Sequence, residues 1–327
     1  ELAPLLEFRQ EFRILGLLHK GKAADEDELK AWAKSPSIFR KSLFFRMLPW
    51  LVGGTNAVCI ALAIADIIPA SVCGAVWVCF VFASFSFTGR ITKMQAVYGK
   101  KLQILATYAN LLRLIENQPV KSHVLNEVKT WIGGEKQTAP HSIQRLSKLM
   151  DELDQRNNAF MYAILNGLFF WEIRQIMRIE GWKEQYASEL PRWLTAIAHM
   201  DALCSLATFA YNHPDYSYPV IATRSFCLRA EDMGHPLMNR DKCVRNDIDI
   251  EKRPFFIIIT GANMAGKSTY LRTVGINYLL ACIGAPTCTR QMELYPARLI
   301  TSLRTSDSLT DNESYFFAEL KRLKLII

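Results

Sequence analysis

Over the first 34 positions apolar residues recur at three- and four-residue steps. Leu5, Phe8, Phe12, Leu15 and Leu18 fall on one side, with Arg9, Gln10, Glu11 and Arg13 between them. That spacing lays an apolar stripe along a helix. The acidic run Asp25-Glu26-Asp27-Glu28 suits the first turn of a second helix, where negative charge meets the positive end of the dipole. Ser35-Pro36-Ser37 breaks it. The pattern then changes character. No charged residue occurs from Met47 to Ala65, and after Asp66 none occurs through Thr88. Each run is about long enough to cross a ~30 Å hydrocarbon layer as a helix.

Asp66 and Pro69 mark a tight turn between the two runs. Arg40, Lys41 and Arg46 precede the pair, and Arg90, Lys93, Lys100 and Lys101 follow it. Basic residues at both outer ends predict a transmembrane hairpin with both chain ends in the cytoplasm. A buried hairpin in a water-soluble core is the alternative, and Pro49, Gly53, Gly54 and Asn56 weaken the first span. A soluble helix pair, however, keeps a polar face, which these runs lack.

Mixed periodic helix returns over residues 90–213. Leu102, Leu105, Tyr108, Leu111, Leu112 and Ile115 share a face that ends before Pro119. Further amphipathic helices are expected at 142–165, at 168–186 with Trp171, Ile173, Ile176, Met177 and Trp182, and from Pro191 to about Phe209. Asn157, Asn158, Asn166, His199 and Asp201 in this stretch read as caps or solvated positions. Asn212-His213-Pro214-Asp215 is a breaker, after which short β-favouring segments appear at 218–221 and 226–229. The apolar run 255–259, FFIII, predicts a strand buried in a parallel sheet.

That run leads into Thr260-Gly261-Ala262-Asn263-Met264-Ala265-Gly266-Lys267-Ser268-Thr269, which satisfies GxxxxGK[ST] from Gly261 to Ser268. Helical periodicity follows at Tyr270, Leu271, Val274, Ile276, Tyr278, Leu279 and Leu280. Strand, glycine-rich loop and helix N-terminus together make a phosphate cradle. Gly261 and Gly266 let the backbone approach the phosphates. Lys267 supplies a point charge to the β and γ phosphates, Ser268 a hydroxyl for Mg²⁺, and Thr269 a donor to the α phosphate.

Charge and cysteine content add less. The formal net charge of +8, from 39 Lys and Arg against 31 Asp and Glu, suits a partner with phosphates without identifying one. None of the eight cysteines forms a CxxC pair or a zinc-finger spacing, so reduced thiols fit best. The chain starts at Glu1 and stops at Ile327 within a predicted helix, and so reads as a fragment.

TGANMAGKSTYLRTVG, residues 260–275, strongly resembles the Walker A segment of the MutS family. Thr305-Ser306-Asp307-Ser308-Leu309 and Glu313-Ser314-Tyr315-Phe316-Phe317-Ala318-Glu319-Leu320 are similar to the family's next conserved segment. Gly234-His235-Pro236-Leu237 and Val244-Arg245-Asn246-Asp247-Ile248 look like its entry into the ATPase domain. The resemblance covers about residues 230–327. It implies an ATPase that binds ATP or ADP with Mg²⁺ and dimerises through the ATPase domain as a homodimer, with double-stranded DNA as a further partner and mismatch repair as the setting. Nucleotide contacts would come from Gly261, Ala262, Asn263, Met264, Ala265, Gly266, Lys267, Ser268 and Thr269. Val244, with Cys243, would lie at the adenine, although Cys243 lacks the family's aromatic ring. Ser314 matches a serine that reaches the γ phosphate held by the opposite subunit. His235 reads as structural.

The acidic Walker B segment would lie beyond Ile327. No mismatch-reading domain or Phe-x-Glu wedge is recognisable, and residues 47–88 stand where the family has its DNA clamp. The expected organisation is mixed α and α/β: a lever-like helical segment over 1–42, the hairpin over 43–89, a helical core and lever region over 90–213, and over 214–327 the start of an ABC-like P-loop domain with a parallel sheet. The expected location is the inner membrane, with the ATPase domain in the cytoplasm. A membrane-anchored, ATP-regulated scaffold without mismatch recognition is the alternative function.

Overall fold

A computed structural model describes residues 1–18, 23–133, 138–155, 158–251, 257–262, 265–301 and 324. The chain forms two compact units, Glu1–Ser205 and Leu206–Ile327.

The first unit is helical. Its elements are α1 (Leu6–Leu18), α2 (Ala23–Lys34), α3 (Leu43–Ile64), α4 (Ala70–Asn117), α5 (His123–Ile132), α6 (Ala139–Asp154), α7 (Ala159–Phe169), α8 (Trp171–Tyr186) and α9 (Leu190–Asn212), the last of which continues into the second unit. Helix α4 is the spine. Over 48 residues, about 70 Å at the helical rise, it packs against α1, α3, α5, α6, α7 and α8. Its second half buries Ile104, Leu105, Leu111, Leu112 and Ile115, as the periodicity predicts.

Its first half pairs with α3, and the two are joined by residues 65–69, where Asp66 turns the chain at φ 54°. Among the described residues α3, α4 and α9 are long and apolar enough to cross a membrane. They differ in cover. The apolar windows of α3 and α4 are only 11% and 6% buried, against 33% for α9. Helix α9 also carries Arg192 and Asp201 and buries Trp193, Leu194, Ala196 and Met200, which suits a core helix.

The predicted helix at 142–165 is two helices, and that at 168–186 starts late. Asn158 caps α7 by accepting the Phe160 and Met161 N–H groups. Phe170, 3% exposed at φ 46°, separates α7 from α8, with its ring against Phe80 and Phe87. Apolar periodicity runs through the first break and does not fix the exact place of the second. Helix α8 in turn holds the segment before α3. The buried Glu180 carboxylate accepts the N–H groups of Ile38 (2.8 Å), Phe39 (3.3 Å) and Arg40 (2.7 Å). Lys183 donates to Ser35 O and Oγ, and burial holds its amine below the ordinary lysine range, partly offset by Glu180 and Glu184.

The second unit contains a four-stranded sheet in the order β1 (Val220–Ile221), β4 (Gln291–Leu294), β2 (Leu228–Met233), β3 (Asn246–Ile250). Strand β2 runs antiparallel to both β3 and β4, and only β1 and β4 are parallel. The predicted parallel sheet is therefore not what the described residues form. A 12-residue connection returns β3 beside β2 in the antiparallel sense. Nor do the described residues of the predicted 255–259 strand form one. Among the described residues, 257–260 have no ladder partner, and Ile258 is 73% exposed. A β-branched run becomes a buried strand only where neighbours complete its hydrogen bonds.

Helix α10 (Lys267–Cys282) lies on this sheet. Tyr278 and Ala281 join Leu228, Ala230, Met233, Ile248, Met292 and Leu294 in one core, with Tyr270 and Val274 at its edge. Asn277, fully buried, donates to Gly234 O and Thr273 O and accepts the Cys288 N–H. Tyr278 OH donates to Tyr295 O and accepts the Ala297 N–H. These bonds fix both the height and the rotation of α10, and so the place of its N-terminus.

Candidate functional site

Helix α10 begins abruptly because Gly266 sits in the left-handed region, at φ 85° and ψ 6°, as its N-cap. An L-residue with a Cβ resists that conformation. Tyr270 N is the first group to donate back within the helix, to Gly266 O at 2.9 Å. The N–H groups of Lys267, Ser268 and Thr269 therefore precede the helical ladder and point out of its positive end. Lys267 Nζ reaches across the loop to Gly261 O (2.5 Å) and Ala262 O (2.6 Å), while Ala265 N donates to Ala262 O. The loop so formed is a short arc closed by its own lysine.

A cavity of about 680 Å³ opens against this arc. Ala265, Gly266, Lys267 and Thr269 form one wall. Val244, Asn246 and Asp247 approach from β3 and the segment before it, and Met238 and Lys242 come from the connection between β2 and β3. Tyr270 joins the two sides, its hydroxyl donating to Asp247 O at 3.0 Å. Burial, and then the Asp247 charge, raise the Tyr270 phenol above its ordinary value, so it remains a donor. With Lys242 and Lys267 as cations and Asp247 as an acid, the lining is net positive and suits a polyanion. The side of Val244, which is 79% exposed, together with Met238, offers an apolar surface for a flat ring.

Most of the predicted site residues thus meet around one space: Ala265, Gly266, Lys267, Thr269 and Val244 in its lining, and Gly261 and Ala262 through the lysine. Ser268 is exposed at the second position of α10 and does not line the cavity. Asn263, Met264, Ser314 and the segment 305–320 lie outside the described residues. Cys243 does not line the cavity either; its sulfur accepts the His235 N–H at 3.3 Å. His235 itself shapes the turn, accepting Leu237 N–H at Nδ1. Met238, Lys242 and Tyr270 were not singled out as site residues from the sequence. The first two reach the cavity through the fold of the β2–β3 connection, and only their place between the HPL and RND segments hints at it. Among the described residues no cluster of His, Cys, Asp and Glu is arranged to hold a metal ion. The donor set of N–H groups and ammonium fits a phosphate chain, and the Ser268 hydroxyl beside it is the ligand such a loop offers to Mg²⁺.

Residues 257–327 match the sequence profile of MutS domain V. The chain is similar to the DNA mismatch repair protein MutS of Clostridium novyi (strain NT), with 29% identity over 70% of this chain and 23% of that protein. It is similar to the protein of that name from Macrococcus caseolyticus (strain JCSC5402), with 29% identity over 54% of this chain and 21% of that protein. For the one from Chlorobium chlorochromatii (strain CaD3) the identity is 34% over 40% of this chain and 16% of that protein. In each case about a fifth of the relative's length is covered.

Proposed function

The chain belongs to the MutS family, and from that premise we propose that it is part of a membrane-anchored ATPase whose ATP-bound P-loops pair in a dimer and move the helical unit. The observation that carries this reading is the arc from Gly261 to Thr269. A left-handed glycine, the positive end of a helix and a lysine converge there on a cavity with a net positive lining. The N–H groups of Lys267, Ser268 and Thr269 would donate to phosphate oxygens. Lys267 would exchange its carbonyl partners for the β and γ phosphates, a charge-assisted contact stronger than the neutral one. Ser268 would hold Mg²⁺, which supplies charge neutralisation at the phosphates when bound. Val244 and Met238 would flank the base.

By resemblance, Asn263 and Met264 complete the loop, and Ser314 of one protomer reaches the γ phosphate held by the other. Helices α3 and α4 would anchor the protein in the cytoplasmic membrane with both chain ends inside. Their uncharged, nearly uncovered windows between basic flanks support that reading. The relatives are DNA mismatch repair proteins, so double-stranded DNA is the partner the moving helices would act on.

Substituting Lys267→Ala in the full-length protein tests the central claim. ATP turnover should fall to background while the protein stays folded. Undiminished turnover would refute the assignment.

A further inference from the structure

From the sequence, residues 159–169 fall across two expected amphipathic helices, 142–165 and 168–186, of the helical core region. The surroundings of α7 point to a different setting. We propose that α7 lies inside the cytoplasmic leaflet beside the α3–α4 hairpin, as a half-membrane segment whose outer face meets lipid acyl chains. The inference rests on the hairpin spanning a bilayer.

Depth along α4 fixes the position. The Tyr162 hydroxyl, near the start of α7, bonds Ser84 Oγ at 2.9 Å and Thr88 Oγ1 at 2.8 Å, at the inner end of the uncharged run. Gly167, near the end of α7, lies so close to Trp77 and Val81 that a Cβ there would collide with both. From Thr88 to Trp77 is about 16 Å along the helix, half of a ~30 Å hydrocarbon layer. If α4 crosses that layer, α7 descends to its middle. Helix α8, which carries Glu172, Arg174 and Arg178, would then lead back toward the surface, and at its far end Glu180 holds the N–H groups of residues 38–40 ahead of α3.

The chemistry of α7 agrees with that depth. From Ala159 to Trp171 there is no charge, and Phe160 and Phe169 are 73% and 47% exposed. A helix that ends within hydrocarbon must have its terminal backbone groups satisfied by protein. Here they are. Asn158 takes the Phe160 and Met161 N–H groups at one end. At the other, Asn56, a polar residue inside the α3 span, donates to Gly167 O (3.0 Å) and Leu168 O (3.2 Å), and Phe170 N donates to Asn166 O. Among the described residues Asn166 Nδ2 is buried without a partner, while its Oδ1 accepts the Glu172 N–H. Asn56 thereby gains a reason to stand where an aliphatic residue would insert more cheaply: it closes the end of α7. The glycine contact is also the kind of close approach by which helices pack in lipid.

Accessible thiols provide the test, because maleimide attack needs a solvated thiolate. The full-length protein, in native membranes, would carry Phe169→Cys or, separately, Leu165→Cys, and would be treated with a membrane-impermeant maleimide. Each cysteine is scored by peptide mass spectrometry. Two native thiols serve as references: Cys79, exposed on α4 within the span, and Cys282, exposed on α10. The proposal expects Cys282 to be modified, and Cys79 and the introduced thiol to stay unmodified until denaturing detergent is added. Labelling of the introduced thiol alongside Cys282, with Cys79 still protected, places α7 in water and overturns the proposal while leaving the hairpin standing. Labelling of Cys79 as well removes the membrane reading on which it depends.

Discussion

At the residue scale the site is built from a few positions whose roles separate cleanly. Gly266 is one that packing does not require: a Cβ built on it meets nothing within 4 Å. Its φ of 85° does require it, since an alanine in the left-handed region costs roughly 1–2 kcal/mol. Gly266→Ala should therefore lower stability by about that amount, and should weaken ATP binding further, because the new methyl stands where phosphate must approach. Labelled-nucleotide binding alongside thermal unfolding separates the two effects. Affinity unchanged beyond the stability loss would mean the backbone does not approach a ligand there. Lys267, Gly266 and Thr269 are legible in the sequence because the motif encodes a local shape. Met238 and Lys242 are not, because the route of the β2–β3 connection brings them to the cavity. Cys243 is a mixed case: its position is legible, but its sulfur faces His235 N–H and leaves the cavity wall to its neighbour Val244.

At the element scale, hydrophobic periodicity located the second half of α4 and its end, α9 and the break after it, and the start of α10, whose N-terminus the motif marks; it did not show that α4 runs unbroken through the expected boundary at 89. It did not separate α6 from α7, and it set the break between α7 and α8 a few residues early. One break rests on an asparagine cap and the other on a single buried left-handed phenylalanine, and neither interrupts the apolar pattern. In the 255–259 run the described residues 257–259 are not in a strand; periodicity reports what a segment could bury and not whether partners lie beside it. Asn56 ties elements together in a way the pattern cannot express. Asn56→Leu removes its bonds to Val52 O, Gly167 O and Leu168 O. If α7 lies in lipid, those α7 carbonyls are left without a donor, and the purified full-length protein in detergent should unfold at lower denaturant. A loss of about 0.6–2 kcal/mol is expected from interhelical hydrogen bonds in membranes. A leucine variant as stable as the parent would mean the α7 carbonyls find another donor, water included.

At the scale of the whole molecule the question is whether one nucleotide site is built by one chain or by two. The described residues bring the glycine-rich loop ahead of α10, an apolar flank and two lysines to one cavity, all from a single chain. Ser314 lies outside them, and its place in the site comes from resemblance alone. Two variants distinguish the arrangements. Lys267→Ala and Ser314→Ala in the full-length protein should each be inactive alone if both groups serve hydrolysis. If Ser314 acts across the dimer, a mixed pair contains one site with both defects and one with neither. Coexpression of the two dead variants should then restore up to about a quarter of the parent turnover, since half of randomly paired dimers carry one whole site of two. If Ser314 serves the P-loop of its own chain, every site in the mixed pair carries one defect and no turnover returns. Recovery requires the protomers to exchange, so differently tagged copies should be captured together first. Recovered turnover makes the dimer the hydrolytic unit, and only then can closure at the nucleotide be transmitted symmetrically to both helical units.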